Sequence, residues 1–490
     1  MSATLIEPSP PIWDAKIYNG TWSSGQGAVL EITDKGSGKS LGRIGSASGD
    51  DIDCAVSRAL EAQRDWAARP GPLRGDVLRK AAAILEKRTG EIAERIVRET
   101  GSIRAKGHVE VRMTVREITE AAALGSQPSG MTIASESPGR SSMARRVPIG
   151  VVGVITPWNS PLLLGSRAIA PALALGNAVL LKPDPQTPVV GGALFAQIFE
   201  EAGLPQGLLH IVPGGAETGD AIVRHPRIGA ISFTGSTKVG RKIGEIAGGM
   251  LKKTSLELGG NNALIVLDDA DVEAAASVGA WGAFFHQGQI CMASGRHLVH
   301  ERIADAYIES LTRRSRALKV GDPFLADVQL GPLINERQAA NVDRVVGQSC
   351  EQGARLLAGG KRDGVFYPPT VIADVRPGMP AFDEEIFGPV APITTFGSDK
   401  EAIELCNQTA YGLVAAVLAK DIGRAHSIAD HLHAGSVHIN DQTIMHEVFA
   451  PMGGMGVSGN GSAYGALTNS DLFTEWQWMT SRAEIARYPF

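Results

Sequence analysis

Residues 148–188 read PIGVVGVITPWNSPLLLGSRAIAPALALGNAVLLKPDPQTP, and they set the pattern for the region around them. Val151–Ile155 is a short, wholly apolar run ending at Thr156-Pro157, which reads as a buried strand. Leu162–Leu175 has helical spacing, and Ala178–Leu181 is a second apolar run ending at Lys182-Pro183. The alternation continues downstream: a helix over Val189–Ala202, a strand over Leu208–Val212, a short helix over Glu217–Arg224, a strand over Ala230–Phe233 and a helix over Ser236–Ala247. Strands alternating with helices in this way predict an α/β fold with an open, parallel sheet covered on both faces. Such sheets collect ligands at the carboxyl ends of their strands. Here those ends carry Thr156-Pro157-Trp158-Asn159, Lys182-Pro183, Pro213-Gly214-Gly215 and Thr234-Gly235-Ser236.

Upstream, Cys54–Ala68 has helical spacing, with Ser48 and Asp51 placed before it as a capping-box-like start. Leu73–Lys87 brings Val77, Leu78, Ala81, Ile84 and Leu85 onto one apolar face. Met131–Val147 reads as two strands around the turn Ser137-Pro138-Gly139-Arg140. After Glu257-Leu258-Gly259-Gly260 a second α/β set runs from Ala263 to about Asn440. Near the end, Leu472–Thr480 (LFTEWQWMT) alternates like a strand. An aromatic edge of that kind needs a cover, either the chain's own 131–147 hairpin or another subunit.

The chain has 490 residues and a formal charge of −5, with 43% hydrophobic and 20% charged residues. That is enough chain for several cores, and the mild acidity gives no electrostatic reason to expect nucleic-acid or membrane partners. Cys54, Cys291, Cys350 and Cys406 are too few and too scattered for a disulfide framework. The N-terminal MSATLIEPSPPIWDAK lacks the basic and apolar regions of a secretory signal, so a cytoplasmic protein is expected.

Three residues stand out chemically. Cys291 follows Phe285-His286-Gln287-Gly288-Gln289-Ile290, a probable turn whose backbone amides would lower the thiol pKa and hold an oxyanion; a buried structural cysteine is the alternative. Glu257 lies between apolar residues, where desolvation would raise its pKa toward that of a general base; otherwise it is a surface glutamate at a strand end. Asn159 is placed either to donate to an oxyanion or to cap the following helix. Lys182 could bond a ribose or phosphate, and Gly235-Ser236-Thr237-Lys238-Val239-Gly240 could turn its amides toward a pyrophosphate. Gly454-Met455-Gly456-Val457-Ser458-Gly459 matches a dinucleotide fingerprint by pattern, but no strand-turn-helix surrounds it, so it reads as a structural loop. The histidines have no metal-ligand spacing, and no metal site is expected.

Eight ordered segments give the chain a resemblance to the aldehyde dehydrogenase superfamily: ITPWNSP (155–161), NAVLLKPDPQTP (177–188), FTGSTKVG (233–240), LELGGNN (256–262), FFHQGQIC (284–291), EEIFGPV (384–390), NQTAYGL (407–413) and PMGGMGVSG (451–459). The resemblance implies Cys291 as nucleophile, Glu257 as general base and Asn159 as oxyanion donor. It also implies that Thr156, Pro157, Trp158, Lys182, Gly215, Gly235, Ser236, Gly240, Leu258, Gly259, Glu385 and Phe387 contact a nicotinamide dinucleotide. Pro185 stands where strictly NAD-dependent members carry a glutamate, which leaves NADP open, while Asp184 favours NAD.

The implied architecture is a Rossmann-like cofactor domain (1–127 and 148–256), a second α/β catalytic domain (257–450) and a small β extension (128–147 and 465–490) that pairs subunits into a homodimer or homotetramer. KPDPQTP, LELGGNN and Tyr488-Pro489-Phe490 look most like the bacterial benzaldehyde dehydrogenase group, with vanillin dehydrogenases near. For a flat ring, Leu163, Leu164, Ile290, Phe449 and Met452 are the expected tunnel residues. Arg167 would either pair with an acidic neighbour, the favoured reading, or meet a polar substituent. Vanillin-type, aliphatic and semialdehyde substrates are the alternatives; a non-catalytic protein on this fold would be expected to lack one of the three central residues.

Overall fold

The computed structural model describes residues 11–465 and 468–490. Most of the N-terminal stretch read for a signal, and Ala466 and Leu467 of the C-terminal extension, lie outside them. Two seven-stranded sheets organise the chain. The first has the order Lys253–Glu257, Ala230–Thr234, Val151–Ile155, Ala178–Lys182, Leu209–Ile211, Ile17–Asn19, Trp22–Ser23. Its first five strands are parallel, as the alternating pattern predicts, and the two N-terminal strands extend it in antiparallel fashion. Every residue of Val151–Ile155 and Ala178–Lys182 is buried, which requires cover on both faces. Helices Gly49–Ala68 and Pro161–Ala174 are among those packed on these strands.

Local chemistry accounts for the element ends. Ser48 and Asp51 form the reciprocal capping box and start their helix at Gly49, one turn earlier than its apolar spacing suggests. The helix read over Val189–Ala202 begins as one wide π turn, Val189–Ala193, before becoming regular at Leu194–Glu201.

The second sheet has the order Arg355–Ala358, Thr370–Ala373, Val390–Phe396, Arg296–His300, Ala263–Val266, Val414–Leu418, Ser436–Ile439. All its pairings are parallel except that of Arg355–Ala358. Alternate residues of Ala263–Val266 enter different cores: Ala263 and Ile265 one, Leu264 and Val266 the other. That two-residue period is what a strand buried on both faces imposes.

The C-terminal strand docks on the chain's own hairpin. Thr474–Arg482 pairs along its whole length with Arg140–Pro148, which pairs in turn with Gly130–Thr132. Leu472 and Phe473 are not part of that strand; they end a short helix, Asn469–Phe473, and are buried in the core of the first sheet. The Phe473 carbonyl accepts from Asn177 Nδ2 at 2.9 Å, which fixes the strand's starting point. Its far edge is unpaired among the described residues, and Trp476 and Trp478 are 52% and 70% exposed. Among the described residues, no helix is long and apolar enough to cross a membrane.

Candidate active site

Four neighbouring strands of the first sheet end on one edge, and the register aligns their termini: Thr234 opposite Glu257, Phe233 opposite Ile155, Ile155 opposite Lys182. Thr156 to Asn159, Lys182, Gly235, Ser236 and Glu257 therefore lie together. Cys291 comes from the other unit. The helix Val272–Phe284 gives way to a tight turn in which His286 and Gln287 take left-handed backbone angles (φ 51° and 56°). Gln287 Nε2 pins that turn to the Gly101 and Pro332 carbonyls at 3.0 and 2.7 Å. Asn262 Nδ2 donates to the Cys291 carbonyl at 2.8 Å, so LELGGNN also fixes the backbone of Cys291.

Asn159 does not cap the next helix. Its side-chain amide donates to the Gln289 carbonyl at 2.9 Å, which sets its rotamer and leaves one hydrogen for a ligand. Glu257 is buried, its Oε1 is without a partner, and desolvation pushes its pKa up to about 8 against the opposing pull of Arg167. The expected desolvation of Glu257 is met, and it is not a surface glutamate. The low thiol pKa is not: burial pushes Cys291 up to about 12, with the Glu385 and Glu257 carboxylates adding and Arg167 opposing. Loss of hydration outweighs the nearby amide dipoles.

Cys291 opens into a cavity of about 280 Å³ lined by Leu163, Leu164, Arg167, Ile290 and Met452, as expected. Phe449 is the exception: it is 53% exposed and does not line the cavity, while its neighbour Val448 is the residue that turns inward. The aromatic wall is instead Trp281 stacked on Phe285, with ring centroids 4.3 Å apart and planes at 14°. Their i, i+4 spacing just before the cysteine was the signal to read. Arg167 is paired, as favoured: its Nε lies 3.4 Å from Glu117 Oε1, and its Nη2 is 2.9 Å from His446 and 3.2 Å from Met452 Sδ. Burial and Arg167 push His446 down to about 4, so the neutral ring can accept from the guanidinium.

The residues expected around a dinucleotide fit that group. Thr156 Oγ1 is buried and unpartnered. Lys182 is buried, its pKa lowered by desolvation, with only a 3.4 Å bond to the Pro183 carbonyl. Helix Thr237–Gly249 starts at Ser236 without a side-chain cap, leaving its first amides for an anion. Gly235 N–H donates to the Glu257 carbonyl at 3.0 Å. A Cβ at Gly259 would collide with the Glu385 carboxylate, and one at Gly240 with Leu258. Glu385 accepts from Gly260 N–H at 3.1 Å and burial pushes it up to about 7. Trp158 meets Phe387 edge-on at 5.4 Å. Gly215 begins the helix Ala216–Arg224, and its N–H is taken by Glu217 at 3.1 Å. The GMGVSG segment is a structural loop: Leu258 N–H donates to the Ser458 carbonyl at 2.9 Å, and Gly459 bridges to Glu257.

Two α/β units bring Cys291 and Glu257 to the edge where the first sheet's parallel strands end, the side on which sheets of this kind hold ligands. The aldehyde dehydrogenase family model matches residues 22–479, and the chain belongs to that family. Membership carries oxidation of an aldehyde with NAD(P). The chain is 51% identical to a Pseudomonas putida benzaldehyde dehydrogenase [NAD(+)], covering 98% of this chain and 99% of that one. It is 47% identical to a vanillin dehydrogenase of an Amycolatopsis species, covering 98% of each. Staphylococcus aureus betaine aldehyde dehydrogenase in complex with NAD+ superposes with a TM-score of 0.94 at 30% identity, covering 98% of this chain and 97% of that one.

Proposed function

We propose that the protein oxidises a benzaldehyde-like aromatic aldehyde to its acid, with NAD as the preferred cofactor. The observation that carries the substrate class is the cavity: Cys291 lines a mostly apolar space whose walls include the Trp281–Phe285 stack, Ile290 and the two leucines. A flat ring matches those walls. The benzaldehyde and vanillin dehydrogenase relatives support the same class.

In this reading the Cys291 thiol releases its proton to solvent as the sulfur adds to the aldehyde carbon, and the oxyanion that forms is met by the Asn159 amide and the Cys291 N–H. When bound, the oxidised nicotinamide supplies the acceptor for hydride. Hydride loss from the tetrahedral carbon leaves a thioester on Cys291. Glu257 takes a proton from the water that hydrolyses it, a task suited to a pKa of about 8. Arg167 is the cation that opposes the desolvation of both Cys291 and Glu257. Lys182 would hold the adenosine ribose, the Gly235–Gly240 turn the pyrophosphate, and Glu385 and Phe387 the nicotinamide end. Pro185 removes one acid from the ribose site, but the Asp184 and Glu217 carboxylates both act on Lys182 and would oppose a 2′-phosphate.

The first-sheet unit (1–127 and 148–256) is assigned to the cofactor and 257–450 to catalysis. The sheet built from 128–147 and 465–490 is assigned to self-association as a homodimer or homotetramer, for which the exposed tryptophans on an open edge are the support. Four unpaired cysteines suit the cytoplasm. Initial rates with benzaldehyde, vanillin, hexanal and succinic semialdehyde, each with NAD and NADP, test the substrate and cofactor. Benzaldehyde with NAD should give the highest kcat/KM. Preference for succinic semialdehyde would overturn the aromatic reading, and equal rates with NADP would overturn the role given to the two carboxylates.

A further inference from the structure

The helix Arg104–Leu124 lies against Pro161–Ala174, the helix that follows Asn159. Lys106 and Glu110 are one turn apart on its buried side, 4% and 2% exposed, and they form an ion pair. Lys106 Nζ also donates to the main-chain carbonyl of Asn159 at 2.8 Å. The other Glu110 oxygen accepts from the N–H groups of Leu162 and Leu163 at 2.9 and 3.3 Å. The start of that helix, at Ser160, has no side-chain cap of its own, so Glu110 caps it from another element. The pair therefore grips the Asn159 peptide from one side and the next helical turn from the other. Both residues also line the Cys291 cavity.

Burying an ion pair costs more than burying apolar side chains of the same size, so stability alone does not explain this one. We propose that Lys106 and Glu110 are a positioning pair that holds Asn159 where its amide meets the oxyanion formed at Cys291. The proposal rests on the reading of Asn159 as oxyanion donor. On the far side, the Gln289 carbonyl takes one Asn159 amide hydrogen, so backbone and side chain are both restrained and the remaining hydrogen has one direction to point. Fixing a donor within a few tenths of an ångström is what separates an oxyanion hole from a merely nearby amide.

The test is a double-mutant cycle read from the first-turnover burst of reduced cofactor with benzaldehyde and NAD. The pair is neutralised as Lys106→Met with Glu110→Gln, which keeps an acceptor oxygen for Leu162 and Leu163. Asn159→Ala alone should slow the burst by about 10²- to 10³-fold, the usual cost of one oxyanion donor. The neutral pair should slow it by about 10- to 100-fold with KM changed less than about threefold, and Lys106→Arg should recover most of the rate. In the Asn159→Ala background the neutral pair should cost less than about twofold, because the group it positions is gone.

Losses that multiply across the cycle, or a neutral pair that leaves the burst unchanged while Asn159→Ala slows it, would overturn the positioning role and spare the oxyanion reading. An unchanged burst in Asn159→Ala would overturn both. If the neutral pair does not fold, Glu110→Gln alone carries the same cycle, with an expected loss of about three- to tenfold.

Discussion

In the first sheet, four adjacent strand ends deliver Thr156, Lys182, Gly235 and Glu257 to one edge. In the second, built on the same parallel plan, the proposed nucleophile comes from no strand end. Cys291 sits on a turn ahead of strand Arg296–His300, held by left-handed residues and by Gln287 and Asn262. The first arrangement is a property of the sheet's topology and recurs wherever such a sheet is built. The second depends on particular side chains reaching from distant segments. A substitution on the first side should therefore change one step or one ligand, whereas one in the turn should also disturb folding.

The sharpest division between the two sides is chemical. Cys291→Ala should remove dehydrogenase activity by about 10⁴-fold or more in steady-state assays, because the proposed mechanism carries the thioester on Cys291. Glu257→Gln should slow turnover by about 10²-fold yet leave a burst of reduced cofactor, since it acts after hydride loss. The two sides also differ in pH dependence. In the proposed role Glu257 works as the carboxylate, and its pKa is raised to about 8, so wild-type thioester hydrolysis should climb as pH rises through about 8 and then level. The Gln variant should show no such rise; a retained rise would assign the titration to another group.

Gly288→Ala tests the turn. Gly288 has φ 66°, and a Cβ there would collide with the Gly388 carbonyl, so a loss of about 2 kcal/mol or more in urea unfolding is expected. A variant as stable as wild type would mean the turn is not held as tightly as its hydrogen bonds imply. The smallest effect should come from Trp281→Ala. Half-exposed and stacked on Phe285, Trp281 contributes little to the core; its loss should raise KM for benzaldehyde by about tenfold and leave hexanal nearly unchanged.

The same contrast explains what could be read in the chain before its fold was known. Apolar runs alternating with helical spacing locate four strands of the first sheet, and with them Asn159 and Lys182, but not the strand Lys253–Glu257 that carries Glu257. Ser48 and Asp51 announce their helix because capping is local. The sign of the Cys291 pKa shift was not legible, since burial depends on walls from Leu163 to Met452. Nor were Lys106 and Glu110, whose partners lie about 50 residues away. Phe449 shows the reverse error, a bulky residue assigned to the tunnel from its type, where the neighbouring Val448 is the one buried. LFTEWQWMT was readable as a strand but not in its starting point, because Phe473 is claimed by the first sheet's core.

The most direct test of the account is the mass of the Cys291 peptide after Glu257→Gln protein has been mixed with benzaldehyde and NAD and quenched. The account predicts a benzoyl group on Cys291, in an amount matching the burst of reduced cofactor. A burst with no acyl group on Cys291, or with the acyl group on Cys54, Cys350 or Cys406, would contradict it.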